Sequence, residues 1–295
     1  MTEPDNELIT IDTSELERLV GEDVVVAILS SAPLKVQTRV AKAAHHLQKA
    51  IRLEGFDEEM GVIRLIAAEE ELVVAIFELL KLNADHFPEH RDFVSKKKNH
   101  LVKLAFTPVL SEMATVFEDF LKNGLAPAGL EGVTTWRVVP AVKDGKAVLT
   151  LFAHDGKFLI DVNPLDVSIS RDEASDDEVV QHLYDDFFAR LPDDGENRVK
   201  TFITQRADYR NKLLYAEDGQ SYLMGETLAE IRAIVERDLT RLLWCLAALL
   251  TNKPASKRWG AVGQFIALYR RVLLEAKVLR PAEFEAYGLL PAREE

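Results

Sequence analysis

The stretch Thr134–Val162, TTWRVVPAVKDGKAVLTLFAHDGKFLIDV, decides the fold class, because here the 295-residue chain changes from helical to strand texture. β-Branched and aromatic residues fall into three runs separated by Asp144-Gly145 and Asp155-Gly156. Asp-Gly suits tight hairpin turns, whose central residues need positive φ. The segment therefore predicts a three-stranded antiparallel meander. Pro140 has no N–H to donate, which places the first strand at an edge or a bulge. Three strands cannot bury both faces of a sheet, so one face is expected against helices.

Working outward, Gly124, Pro127, Gly129 and Gly132 mark a loop before the meander. Upstream of it, Val36, Val40, Ala43, Leu47, Ala50 and Ile51 recur at helical spacing. After Gly55, Asp57 can cap a long helix over Glu58–Leu82, and a third helix is predicted from near His90 to Leu121, kinked or divided at Pro108. Downstream, helices are predicted over Asp176–Leu191, Glu196–Ala216, Ser221–Leu250 and Ser256–Val278. The expected fold class is α+β, mostly α: a helical bundle with a small three-stranded antiparallel β-meander inserted between helical portions. The expected division is an acidic arm over 1–24, a helical portion over 25–122, the meander over 123–170, and a second helical portion over 171–295 that packs with the first as one helical domain. Within the arm a short helix is expected near Thr13–Leu19, ended by Gly21.

At 47% hydrophobic residues the chain can bury a sizeable core. The single Cys245 lies in the apolar run LLWCLAALL and reads as a small buried hydrophobe, so neither a disulfide framework nor a cysteine metal site is available. The acidic N-terminus lacks the basic and apolar regions of a signal peptide, and Leu242–Leu250 is too short to span a bilayer. A cytoplasmic protein without membrane association is expected. The net charge of −13 opposes non-specific coating of nucleic acid. Ten acidic residues between Asp172 and Glu196 face one basic residue, Arg190, whereas Arg91–Lys103 and Lys253–Arg280 are locally basic. Solvated helix faces explain these runs, and a basic groove on an acidic body is the alternative.

Glu70 is the first chemically suggestive position. It shares a helical stripe with Ile63, Ile66, Val73, Val74 and Phe77, while Glu69 and Glu71 turn away. A carboxylate among apolar neighbours needs a cationic partner or a proton. Helix three offers one, since Phe93, Lys97, Leu101 and Leu104 form its inward stripe with His100 alongside. A Glu70–Lys97 contact is the expected structural role, and a catalytic carboxylate is the alternative.

The segments AKAAHHLQKAIRL (Ala41–Leu53), IRLIAAEEELVVAIFELLKL (Ile63–Leu82) and KKKNHLVKL (Lys96–Leu104), with RADYRNKLLYA (Arg206–Ala216), resemble the HEPN superfamily, and within it the abortive-infection V-type proteins. The resemblance implies a dimerising helical bundle whose members cut RNA or act in defence against phage. In nucleolytic members an Arg with a polar neighbour precedes a His by one to two helical turns. Arg210 and Asn211 match the beginning of that pattern, and Tyr215 stands where the His is expected. Tyrosine, with a pKa near 10, is a poor general base at neutral pH, although its hydroxyl can bind a phosphate oxygen.

Read as a helix, the same run puts Arg206, Arg210 and Leu213 on one face and Asp208, Asn211 and Tyr215 on another. The paired Arg can hold a phosphate or carboxylate, or can pair with Glu70. His86 and His90 are four apart, but Pro88 interrupts the helix a metal pair would use. No phosphate loop, dinucleotide glycine pattern or serine-hydrolase elbow is present, and no cofactor is expected. Three readings stay open. The first is a HEPN-like protein that binds or cleaves RNA, as a metal-independent ribonuclease if it is an enzyme. In that reading Arg210, Asn211 and Tyr215 are the catalytic candidates, and Arg206, Glu70, Lys97 and His100 bind the ligand. The second is a non-catalytic module for a protein partner, and the third a metal-dependent enzyme.

Overall fold

In a computed structural model of the chain, the structure describes residues 12–86, 90, 93, 100–124, 136–153, 155–167, 169, 175–191, 198–214, 225–253 and 260–278; the side chains of 116–124, 136, 176, 206–212, 214 and 261 are excepted. These residues form nine α-helices and three strands: α1 (Ser14–Val20), α2 (Glu22–Ser31), α3 (Leu34–Leu53), α4 (Glu58–Leu82), α5 (His100–Gly124), β1 (Trp136–Lys143), β2 (Lys146–Ala153), β3 (Phe158–Val162), α6 (Asp176–Arg190), α7 (Arg198–Leu214), α8 (Leu228–Thr251) and α9 (Gly260–Glu275). The fold is mostly helical α+β with a small antiparallel sheet. No described helix is long and apolar enough to cross a membrane.

The helix starts follow their caps. The Asp57 side chain accepts from the Met60 N–H at the head of α4, and Ser175–Glu178 and Thr227–Glu230 form reciprocal capping boxes at α6 and α8. α4 is the central helix. It packs against α3, α8, α5 and α7, and is buried almost all round, from Val62, Leu65 and Ala68 to Leu72, Val73 and Ile76. At Gly61 the approach of α8 is so close that a Cβ would overlap Leu228 Cδ2.

The sheet is ordered β1-β2-β3, antiparallel throughout. Asp144 and Gly145 take φ of 51° and 70°, as the first hairpin turn requires. Val138, Pro140 and Val142 pair with Leu151, Leu149 and Ala147, and this face meets the helices; Ala147 and Leu151 are buried. Edge position explains why Pro140 is tolerated in β1.

The expected acidic arm over 1–24 is corrected within its described part. Leu16 of α1 is fully buried, Arg18 bonds Glu236 of α8, and α2 brings Val24, Val25 and Ile28 into the core. Apolar side chains at helical spacing outweigh the acidic composition. α1 ends at Gly21, where φ of 93° and ψ of 152° suit glycine and turn the chain straight into α2. α5 is not divided: Pro108 lies inside it, held by buried Leu104, Ala105 and Val109 on either side.

Candidate functional site

Among the described residues, two places bear on function. The first is the Glu70 cluster. Lys103 Nζ donates to Glu70 Oε2 at 2.8 Å, and His100 Nδ1 lies 3.4 Å from Glu70 Oε1. The Glu70 and Lys103 side chains are each 17% exposed, so the pair sits at the rim of the α4–α5 contact. On α4 the most buried carboxylate is Glu69, 2% exposed, which was expected to turn away, while Glu71 pairs with Arg39 at 2.7 Å. The stripe reading assumed one buried face, and α4 has several. Glu70 and His100 come together. Lys97 lies outside the described residues, and Lys103 of α5 supplies the cation.

Arg206, Arg210 and Asn211 lie on the backbone of α7, their side chains outside the described set, and Tyr215 lies outside it altogether. α7 packs against α5, and touches α4 and α9. Of the His86–His90 pair, His90 is buried and in hydrogen-bond contact with Arg270 Nη1 through Nδ1 at 2.6 Å. Burial and the adjacent guanidinium lower its pKa to about 3, so the ring is a neutral acceptor. No group of three or more His, Cys, Asp or Glu is placed to hold a metal ion among the described residues.

The second place is a cavity of about 550 Å³ between the inner face of the meander and the helices. Ile76 and Leu80 of α4, Phe106 and Leu110 of α5, Val138 and Leu149 of the sheet, Cys245 and Leu249 of α8 and Phe265 of α9 contribute to an apolar wall. It lies where the inner face of the sheet and the helices do not close on one another. α8 belongs to both worlds. Leu239, Leu242, Leu243 and Leu246 are fully buried on one side, and Arg241, Cys245, Ala248 and Leu249 line the cavity on another, roughly a third of a turn away.

Polar groups at this cavity are few. Arg241 Nη1 donates to Ser111 Oγ at 2.9 Å and lies 3.4 Å from Asp238 Oδ1, and Ser111 also donates to that oxygen at 3.0 Å. Arg137 stands at the start of β1 with its guanidinium carbon 5.4 Å from the Phe152 ring centroid. Cys245 faces the empty space, yet its surroundings are apolar and push the thiol up to about 12, so it remains protonated. Sequence reading missed this site because five separate elements assemble it. The available signal was the spacing of Arg241, Cys245, Ala248 and Leu249, which marks a second helical stripe within a run that looked like plain core. No protein-family model matches the chain, and neither a curated protein nor a solved structure matches it.

Proposed function

We propose that this protein binds an apolar small molecule in the wedge between the meander and the helices. The observation that carries this is the cavity itself: about 550 Å³, walled by aliphatic and aromatic side chains from five elements, with few polar groups. Ligand pockets run from roughly 300 to 1,000 Å³ and have this composition. An apolar space of this size forfeits dispersion contacts when empty, and an apolar guest recovers them. A neutral solvatochromic dye such as N-phenyl-1-naphthylamine tests the reading. Binding to the wild type with strong emission, lost in Ala248→Phe, is expected; no binding, or equal binding by a folded Ala248→Phe variant, overturns it.

A second reading is favoured by the placement of α7 against α5. Here the HEPN-like expectation stays a proposal: Arg206 and Arg210, one helical turn apart, receive an RNA phosphate next to the helix that carries Lys103 and His100. Its dimer is part of the same proposal. Filter binding of RNA at low salt should show retention that Arg210→Ala removes, and light scattering should give twice the chain mass. RNA retention unchanged in Arg210→Ala, or none at all, ends this reading.

A further inference from the structure

α3 carries Lys35, Arg39, Lys42, Lys49 and Arg52 together with His45 and His46, and it has no Asp or Glu, in a chain whose net charge is −13. Its main neighbours among the described residues are α4 and α1. Val36, Val40, Ala43, Leu47 and Ala50 are fully buried on one side, and Lys35, Lys42, His45, Lys49 and Arg52 are exposed on the other. Lys35, Lys42 and Lys49 recur about every two turns, roughly 10.5 Å apart at 1.5 Å per residue, in a row about 21 Å long. Arg64 of α4 widens the row, its Nη1 lying 3.4 Å from His46 Nδ1.

The acids that meet this face do not cancel it. Glu71 bonds Arg39 at 2.7 Å, Asp12 lies beside Arg52 and Gln48, and Glu78 falls on the same flank of α4 as Glu71. Six cations, Arg64 included, against these three carboxylates leave three positive charges. α1 lies along the Gln48 side, away from the lysine row, and there Glu15 pairs with Arg18 and Glu17 accepts from Thr13. At the corner between α3 and α4, Glu54 bonds Arg232, Asp57 caps α4 and Glu58 accepts from the Leu228 N–H, while Glu59 falls on the Glu70 flank. Lys35, Lys42 and Lys49 have no acidic partner among the described residues. The row is about twice the screening length, roughly 10 Å at 0.1 M salt, so acids on the far side of the molecule act on it weakly.

We infer that α3 docks on double-stranded DNA, with Lys35, Lys42, Lys49 and Arg64 against its phosphates. Clustered cations on a phosphate backbone release condensed counterions, and this association requires no contact with a base. A duplex is favoured over a single strand, because single-strand sites add aromatic rings on which bases stack, and α3 and α4 hold no Phe, Tyr or Trp except the buried Phe77. B-form DNA is favoured over duplex RNA. A helix about 10–12 Å across enters a major groove about 12 Å wide, whereas the A-form groove is deep and narrow. The site is distinct from that of the RNA reading, which uses α7 against α5.

Fluorescence anisotropy of the full chain with a labelled, mixed-sequence DNA duplex of about 20 base pairs, measured across a salt series, tests this. Three phosphate contacts give a slope of log affinity against log salt near −2.7, so binding should weaken about fortyfold between roughly 50 and 200 mM NaCl. The double variant Lys42→Gln, Lys49→Gln changes two exposed positions and should keep the wild-type thermal unfolding, with the slope reduced to about −1 and affinity at low salt lowered at least tenfold. Arg210→Ala should bind the duplex as the wild type does. No binding at the lowest salt, an unchanged slope in the double variant, or tighter binding to single-stranded DNA or duplex RNA of the same length overturns the inference. Loss of binding in Arg210→Ala with the double variant unaffected places the duplex on α7 and also overturns it, as does capture by phosphatidylserine vesicles in place of the duplex.

Discussion

The layer formed by α1–α4 with one side of α8 and the wedge beneath the meander are built from the same residue types, but they end differently. In the helical layer, the long helices α3, α4 and α8 meet along several turns, and Leu16, Ile28, Leu47, Leu65, Leu72 and Leu239 are at or near zero exposure. Beneath the meander, a short twisted sheet meets those helices and the surfaces part, leaving about 550 Å³. The difference is one of shape and not of hydrophobicity, so apolar content alone does not distinguish a sealed core from a pocket.

The largest expected effect breaks the sealed layer. Leu65→Ala removes a fully buried side chain from the central helix and should cost about 2–5 kcal/mol in chemical denaturation, while Leu110→Ala at the wedge wall should cost roughly 1 kcal/mol. Equal losses would show that the wedge is closed in solution. Neighbouring alanines sharpen the contrast. Ala247 is fully buried away from the wedge and Ala248 lines it, so Ala247→Phe should destabilise by about 1–3 kcal/mol while Ala248→Phe is neutral or stabilising by about 0.5–2 kcal/mol. Thermal unfolding of the two variants side by side is sufficient. Gly61→Ala should cost about 1–3 kcal/mol and lose much of that penalty in a Leu228→Ala background, because the same side chain is the obstacle.

The smallest effect is in pH dependence. His90 has its pKa lowered to about 3 from an ordinary 6.5, so its contribution is present above pH 6.5 and is lost as pH falls through the folded value. Stability should drop by roughly 1 kcal/mol over the first unit below pH 6.5, and His90→Gln should flatten that limb. An unchanged slope would show that the ring is not held neutral.

Much of the fold was legible because local signals agreed with the tertiary answer. Asp57 and an unbroken run without proline define α4 at both ends, and the two Asp-Gly pairs define the hairpins. α2 was not legible: Gly21 reads as a stop and Pro33 as a start, and VVVAILS between them, though inside the expected helical portion, has no assigned helix; its packing with α8 gives it a place. The Glu69–Glu70 assignment failed because a helix buried on several sides has no single period. Lys103, six residues beyond Lys97, took the cation's part because it is spatial proximity across two helices that pairs it with Glu70, and sequence spacing does not report that. The wedge was the least visible, since its walls come from residues as far apart as Ile76 and Phe265.

The bonds from Thr251 and Asn252 to Ala147, together with the Asn163 side chain donating to the Lys253 carbonyl, all lie at one end of the sheet. They make the meander a door hung on a single jamb. Attachment at one end leaves displacement of the strands smallest there and growing toward Trp136 and Ala153 at the other.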